Sequence, residues 1–333
     1  MNSIARRRSD GTIQQKRVQQ PWPKDRLFKI LSIDGGGIRG VFPAAYLAEL
    51  EKRFLGGTSI AEHFDMIAGT STGGIIALAL AKGMTAQAAL DIYLNKGDRI
   101  FPSLKGAERI ARSVKSISQP KYDQGALRSA LEGEFGGELF GAAKTRCVIP
   151  CFEGLNGEPF IYKTPHHPDY VLDQHKSMVD IALHTSAAPT VFPAVHDDGY
   201  IMVDGGLFAN NPVMNALVDA LACYDVPREN IRILSIGTGE STFSLSESAQ
   251  NGGIKDWAIL LPFLAALRAQ SKNALGQAFL LAGKENVVRI DVPESADQIA
   301  LDDVARAKKE LPLAARALVE GSGHYVKALF FDN

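Results

Sequence analysis

The chain lacks most of the features that would assign it to a simple function class. Only three of its 333 residues are cysteines: Cys147, Cys151 and Cys223. An odd, sparse set in a long chain excludes a disulfide scaffold. Cys147 and Cys151 do not form a C-x-x-C pair, and no second His or Cys pair stands near to complete a zinc site. Buried, reduced thiols are expected. There is also no excess charge of one sign, since 36 Lys and Arg oppose 37 Asp and Glu. That argues against a DNA or RNA polymer as a partner recruited by bulk charge. Long apolar runs are missing. The longest, Trp257–Leu267, is eleven residues and contains Pro262, short of the roughly 18 that a membrane span needs. Arg6–Arg8 have no apolar stretch behind them, so no secretory leader is read there and a cytoplasmic protein is expected. A composition of 46% hydrophobic and 22% charged residues excludes a disordered chain.

What is present reads as alternating strands and helices. Residues 1–26 carry seven basic and two acidic residues, which predicts a polar, poorly ordered arm. From 27 to 333 a single α/β domain is expected. Leu27–Ile33 is a branched apolar run closed by Asp34-Gly35-Gly36-Gly37, a buried strand ending in a glycine turn. Val41–Phe54 has helical periodicity. Phe64–Gly69 predicts a second strand and Gly73–Ala81 a second helix. Strand, glycine loop, helix, strand, sharp turn, helix is the order of a mostly parallel sheet in a three-layer α/β/α arrangement. Residues 96–128 hold eight basic and three acidic residues with two prolines, and predict an exposed insertion or lid. Arg146–Phe152, Pro159–Lys163, Tyr200–Val203 and Ile231–Ile236 predict further strands, and Ser177–Ala188 a helix. Residues 240–253 predict a Ser/Gly-rich loop, and the part from about 254 onward is expected to be mainly helical.

Three places in this order can carry chemistry. Gly69-Thr70-Ser71-Thr72-Gly73 lies between a strand and a helix, the context in which G-x-S-x-G forms a nucleophile elbow. Gly69 and Gly73 leave room on either side of the serine, and the helix N-terminus favours developing negative charge at its hydroxyl. A helix-capping serine in an ordinary glycine turn is the simpler reading of the same residues. Asp34–Gly40 also lies between strand and helix, and its successive glycines can turn several backbone amides toward one anion. Gly35, Gly37 and Gly40 satisfy G-x-G-x-x-G literally, which keeps a non-catalytic nucleotide-binding module as an alternative. No second strand ends in the acidic residue that motif requires, and an oxyanion hole fits better. Asp204 ends a predicted strand before Gly205-Gly206, so it belongs at the same carboxyl edge of the sheet. There it can be a base for the serine or a turn residue bonded to its own backbone. None of the seven histidines has a motif around it. An α/β-hydrolase triad in the chain order Ser71, Asp204, His324 is permitted.

Taken together, Asp34–Gly40, Gly69–Gly73 and Asp204–Gly206, with Ala187–Pro193 and Asn210-Asn211-Pro212, resemble the patatin-like phospholipases over roughly residues 27–240. The resemblance implies a lipid acyl hydrolase with a serine–aspartate dyad and no catalytic histidine. Ser71 matches the nucleophile and Asp204 the general base. The Gly35, Gly36 and Gly37 amides match the oxyanion hole, with Arg39 the basic residue beside it. No metal or other cofactor is implied, and no run of acidic ligands suggests calcium. The length and the early glycine motif also look like a narrower group, bacterial phospholipases switched on by cyclic oligonucleotides in antiphage defence. That resemblance implies a second, anion-binding site. The basic stretch supplies Arg99, Arg109, Arg112 and Lys115 as candidate donors. It also implies peripheral contact with phospholipid at the inner membrane, to which the basic arm can add attraction. Trp257–Leu267 is expected to be buried core or a contact within a homo-oligomer, with a surface-seeking element at the bilayer as the alternative, and Pro262 speaks against one straight helix across it.

Overall fold

A computed structural model describes residues 17–102, 119–253 and 260–332. In chain order its strands and helices are β1 (Gln20–Pro21), β2 (Phe28–Ile33), α1 (Val41–Phe54), β3 (Met66–Gly69), α2 (Thr72–Lys82), α3 (Ala86–Ile100), α4 (Gly125–Phe135), β4 (Arg146–Glu153), β5 (Glu158–Lys163), α5 (Met178–Thr185), β6 (Val195–Asp197), β7 (Tyr200–Asp204), α6 (Gly206–Ala209), α7 (Val213–Cys223), β8 (Tyr224–Asp225), β9 (Ile231–Ile236), α8 (Glu247–Asn251), α9 (Leu260–Ala282), β10 (Val287–Ile290) and α10 (Val304–Phe330). No helix of the described residues is long and apolar enough to cross a membrane.

The central sheet runs β10-β9-β2-β3-β4-β7-β6, with β5 on the other edge of β4. All six residues of β2 and all four of β3 are buried, as expected for strands covered on both faces. Alternation then divides them between two cores. Leu31, Ile33 and Ile67 face the cluster under α1, α2, α3 and α10, while Phe28, Ile30, Met66 and Ala68 face the cluster under α7 and α9. The three predicted layers are thus present. The sheet is mixed. Pairs β10–β9, β9–β2, β2–β3 and β3–β4 are parallel, but β5 and β7 run antiparallel to β4, and β6 antiparallel to β7.

That reversal places the site. Val148 of β4 pairs with Ala68 of β3 and with Lys163 of β5, so β3 and β5 occupy opposite edges of β4. Farther along, Cys151 pairs with Phe160 of β5 and with Asp204 of β7. Strand β7 therefore continues along the edge that β3 has left, running the other way. The carboxyl ends of β3 and β7 meet head to head, and Ser71 and Asp204 follow from those ends.

Four expectations change. Residues 17–26 are not a loose arm. Strand β1 pairs with β8, Trp22 is buried, and its indole N–H donates to the Arg26 carbonyl; residues 1–16 lie outside the described residues. The insertion expected at 96–128 is narrower, because α3 runs to Ile100 and α4 starts at Gly125. Within it, 103–118, with Arg109, Arg112 and Lys115, lie outside the described residues. The C-terminal part adds β10 to the sheet edge, and α9 passes through Pro262. The loop at 240–253 contains the short helix α8. All three cysteines are buried and free.

Candidate active site

The turn after β3 is built around two close approaches. A Cβ on Gly69 would strike the Gly73 carbonyl, and one on Gly73 would strike the Ile33 carbonyl of β2. Only glycine lets the strand, the turn and α2 pack this tightly. Between them Ser71 adopts φ 55° and ψ −123°, a strained conformation for a residue with a side chain. Neighbours hold it there. The Ser71 N–H donates to Thr185 Oγ1 at 3.0 Å, and the Thr185 hydroxyl donates to the Pro150 carbonyl at 2.7 Å. On either side, Thr70 Oγ1 donates to the Ala209 carbonyl, and Thr72 Oγ1 bonds the Tyr93 hydroxyl. Ser71 stands at the N-cap of α2, yet its side chain makes no capping bond. The hydroxyl is directed to Asp204 instead.

Asp204 is 5% exposed. Its N–H donates to the Ala187 carbonyl, which ties it to the segment after α5. One carboxylate oxygen accepts the Gly206 N–H at 2.7 Å. Burial pushes its pKa up to about 6, against the hydrogen bonds from Ser71 and Gly206 that favour the anion. The group is a turn residue and a candidate base at once, since one oxygen serves the turn and the carboxylate still bonds the serine.

The glycine loop is narrower in function than its sequence suggests. The Gly35 N–H donates to the Asn210 carbonyl at 3.0 Å. Ile38 N–H is taken by the Leu301 carbonyl and Arg39 N–H by Gly36. Among the described residues the Gly36 and Gly37 amides have no such bond, so the three expected donors reduce to two. Gly36 is pressed against Thr238, whose hydroxyl donates to the Gly35 carbonyl at 2.7 Å. Arg39 Nε donates to the Gly36 carbonyl and Nη1 to the Gly239 carbonyl at 3.1 Å. Burial lowers its pKa to about 10, with Asp291 and Glu240 opposing, so it stays cationic at neutral pH.

Asp34 anchors the loop from below. Arg289 of β10 grips its carboxylate at 3.1 and 2.7 Å and also reaches Ser235 and Asp291. Burial works against the Arg289 charge, but Asp34 and Asp291 outweigh it and raise its pKa. Burial also pushes the Asp34 pKa up to about 6, although Arg289 favours its anion, so the carboxylate is mostly ionised at neutral pH and the charge-assisted pair forms there.

These groups open into one cavity of about 640 Å³, within the range of small-ligand sites. Gly36, Gly37, Arg39, Ser71 and Asp204 form its polar part. Ile75, Ile92, Ile100, Phe101, Leu127 and Phe192 give it apolar walls. No histidine is among the described residues that line it. His324 is an exposed residue of α10 against the Phe54 ring, and His184 is buried with Nδ1 on the Tyr162 hydroxyl. The Ser71–Asp204–His324 triad is not assembled. Arg99 lies exposed in the last turn of α3 and does not line the cavity. A possible ligand group of His166, Asp219 and Cys223 lies elsewhere and already holds the Lys163 ammonium. Sequence reasoning missed Arg289, Thr185, Thr238 and Asn210 as supports. Arg289 is 255 positions from Asp34, and nothing local marks it.

Comparison with known proteins identifies the family. The patatin-like phospholipase family profile matches residues 31–217. A cGAMP-activated phospholipase of Escherichia coli is 36% identical over 302 residues, covering 83% of this chain and 84% of that protein. A cGAMP-activated phospholipase of Vibrio cholerae is 35% identical over 316 residues, covering 86% and 88%. Among solved structures, VipD from Legionella pneumophila aligns over 89% of this chain and 67% of its own, with 12% identity and a TM-score of 0.43. On the matched profile and these relatives, the chain belongs to the patatin-like phospholipase family and is a lipid acyl hydrolase.

Proposed function

We propose that the protein cleaves a fatty-acyl ester of membrane phospholipid with Ser71 as nucleophile and Asp204 as its base. The observation that carries this reading is a buried carboxylate and an uncapped serine in a strained turn, opening together into a cavity lined by no histidine among the described residues; burial pushes that carboxylate up to about 6. A carboxylate of ordinary pKa is a poor base at neutral pH, and the rise toward 6 improves it. Ser71 Oγ attacks the ester carbonyl while its proton passes to Asp204. The Gly36 and Gly37 amides receive the oxyanion, and the α2 N-terminus adds to the positive field there. Collapse releases the lysolipid alcohol, which takes the proton back, and leaves an acyl-Ser71. Water then attacks with Asp204 again as base, and the fatty acid leaves. The apolar walls hold the acyl chain, and Arg39 supplies the charge beside the loop. The chemistry calls on no metal.

Two relatives are named for activation by cGAMP, and we extend that property to this chain: a cyclic oligonucleotide switches on hydrolysis in antiphage defence. Arg99 and, outside the described residues, Arg109, Arg112 and Lys115 are the proposed contacts. The enzyme would work peripherally on the cytoplasmic side of the inner membrane. The test is fatty-acid release from vesicles of bacterial phospholipid, by wild type and Ser71→Ala, with and without a panel of cyclic di- and trinucleotides. Release by wild type alone, and only with one nucleotide, supports both parts. Release that survives Ser71→Ala overturns the dyad, and Ser71-dependent release without nucleotide overturns the switch.

A further inference from the structure

Lys121 and Tyr122 form a strap beside the cavity. Their N–H groups donate to the Thr190 and Val191 carbonyls, each at 2.8 Å. Thr190 has φ 70°, a costly conformation for a β-branched residue that persists only where neighbours enforce it. The Tyr122 ring packs on Phe101 and Phe192 of the cavity wall, with centroids 5.4 and 6.1 Å away. The strap side chains reach a second wall. Asp302 accepts the Tyr122 hydroxyl at 2.7 Å and pairs with the Lys121 ammonium. Burial raises the Asp302 pKa, but Lys121 and Tyr122 outweigh it, and the net shift is down. The adjoining Leu301 reaches the third wall. Its carbonyl accepts the Ile38 N–H at 2.8 Å and lies where a Cβ on Gly37 would fall. The Asp302 side chain thus fixes the turn whose backbone seats the loop carrying the two free amides.

We propose that Asp302 is a positioning residue for ester hydrolysis: by anchoring Lys121 and Tyr122 it holds the Leu301 carbonyl on the Ile38 N–H and keeps the Gly36 and Gly37 amides aimed into the cavity. The proposal rests on the hydrolase reading of this cavity. Amides that meet an oxyanion act mainly in the transition state, so their misalignment lowers kcat more than it raises KM. A role confined to walling the cavity would appear in KM. The experiment uses the full chain, p-nitrophenyl butyrate as a soluble ester, and hydrogen exchange at the Ile38 amide. Asp302→Ala is expected to lower kcat by about tenfold to a hundredfold with KM within about twofold, and to speed Ile38 exchange. Asp302→Asn, which keeps an acceptor for the Tyr122 hydroxyl, recovers part of both. If Asp302→Ala does not fold, Tyr122→Phe carries the same measurements with a smaller expected effect. Unaltered Ile38 exchange, or a loss carried by KM with kcat intact, overturns the proposal. If wild type hydrolyses no ester under any condition, the hydrolase reading fails, and Ile38 exchange alone still decides whether Asp302 anchors the loop.

Discussion

Asp204 and Asp219 are about equally buried, at 5% and 2% exposure, and their pKa values move in opposite directions. Asp219 sits in a saturated polar cluster. It receives the Lys163 ammonium at 2.5 Å, His166 Nε2 at 2.6 Å and the Tyr170 hydroxyl at 2.6 Å. Burial would raise its pKa, but His166 and Lys163 hold it down at about 2. The cluster also fastens the N-terminal segment, since Arg17 bonds the Tyr170 hydroxyl and His167 meets the Val18 carbonyl. Asp204 has a serine hydroxyl and one amide, no cation among its described partners, and a pKa near 6. Burial raises a carboxylate's pKa in each case: Lys163 and His166 outweigh it at Asp219, whereas a hydroxyl and an amide do not at Asp204, nor does Arg289 at Asp34.

Removing each partner in turn breaks the comparison. The largest effect is expected from Ser71→Ala and Asp204→Asn, each lowering fatty-acid release by at least about 10³-fold, read by product analysis at matched protein concentration. Next, Asp219→Ala strands Lys163 and His166 and is expected to cost about 3 kcal/mol. Denaturant melts would show the loss, while kcat of the folded fraction stays within about twofold of wild type. A large kcat loss there would mean that the two clusters are coupled.

The third prediction reverses the sign. The folded pKa of Asp204 lies above the unfolded 3.8. Below 3.8 the group costs nothing. Between 3.8 and about 6 the unfolded chain ionises while the folded one keeps its proton, so stability falls as pH rises. Above about 6 the cost is complete, at most about 3 kcal/mol. Asp204→Asn is therefore expected to melt higher than wild type at pH 8 and to lose that advantage at pH 4. Asp219 behaves oppositely. Its contribution is present above 3.8 and fades as pH falls toward 2. A fourth prediction concerns rate: kcat/KM should rise about tenfold per pH unit below about 6 and level off above it, as Asp204 becomes the base. The smallest effect is expected from His324→Ala, a change in hydrolysis within about twofold. A loss comparable to that of Asp204→Asn would restore the triad.

Much of this was legible in the linear sequence. Val41–Phe54 and Ile231–Ile236 occur with the predicted bounds, because a buried strand and a one-sided helix write their periods into neighbouring residues. The glycines of the elbow were legible because close backbone approach admits no other residue there. The missed elements lack such a signal. Val287–Ile290 is four residues long with Arg289 inside it, too short for a pattern. Gln20–Pro21 pairs with Tyr224–Asp225, and Trp22 packs on Tyr224 at 5.5 Å, long-range contacts that the basic residues around them conceal.

The division follows from the range of the forces. Local sterics and short-period burial are encoded within a few residues, so the sequence by itself determined the α/β grammar, the strained serine turn and the position of Asp204 at a strand end. Which amides stay free was decided by Asn210 and Leu301 reaching back to the loop. The head-to-head meeting of β3 and β7 was decided by the reversal of one strand along β4. The raised pKa of Asp204 required the fold to close around its carboxylate. Desolvation and pairing across more than a hundred residues belong to the folded molecule, and only the tertiary structure sets them.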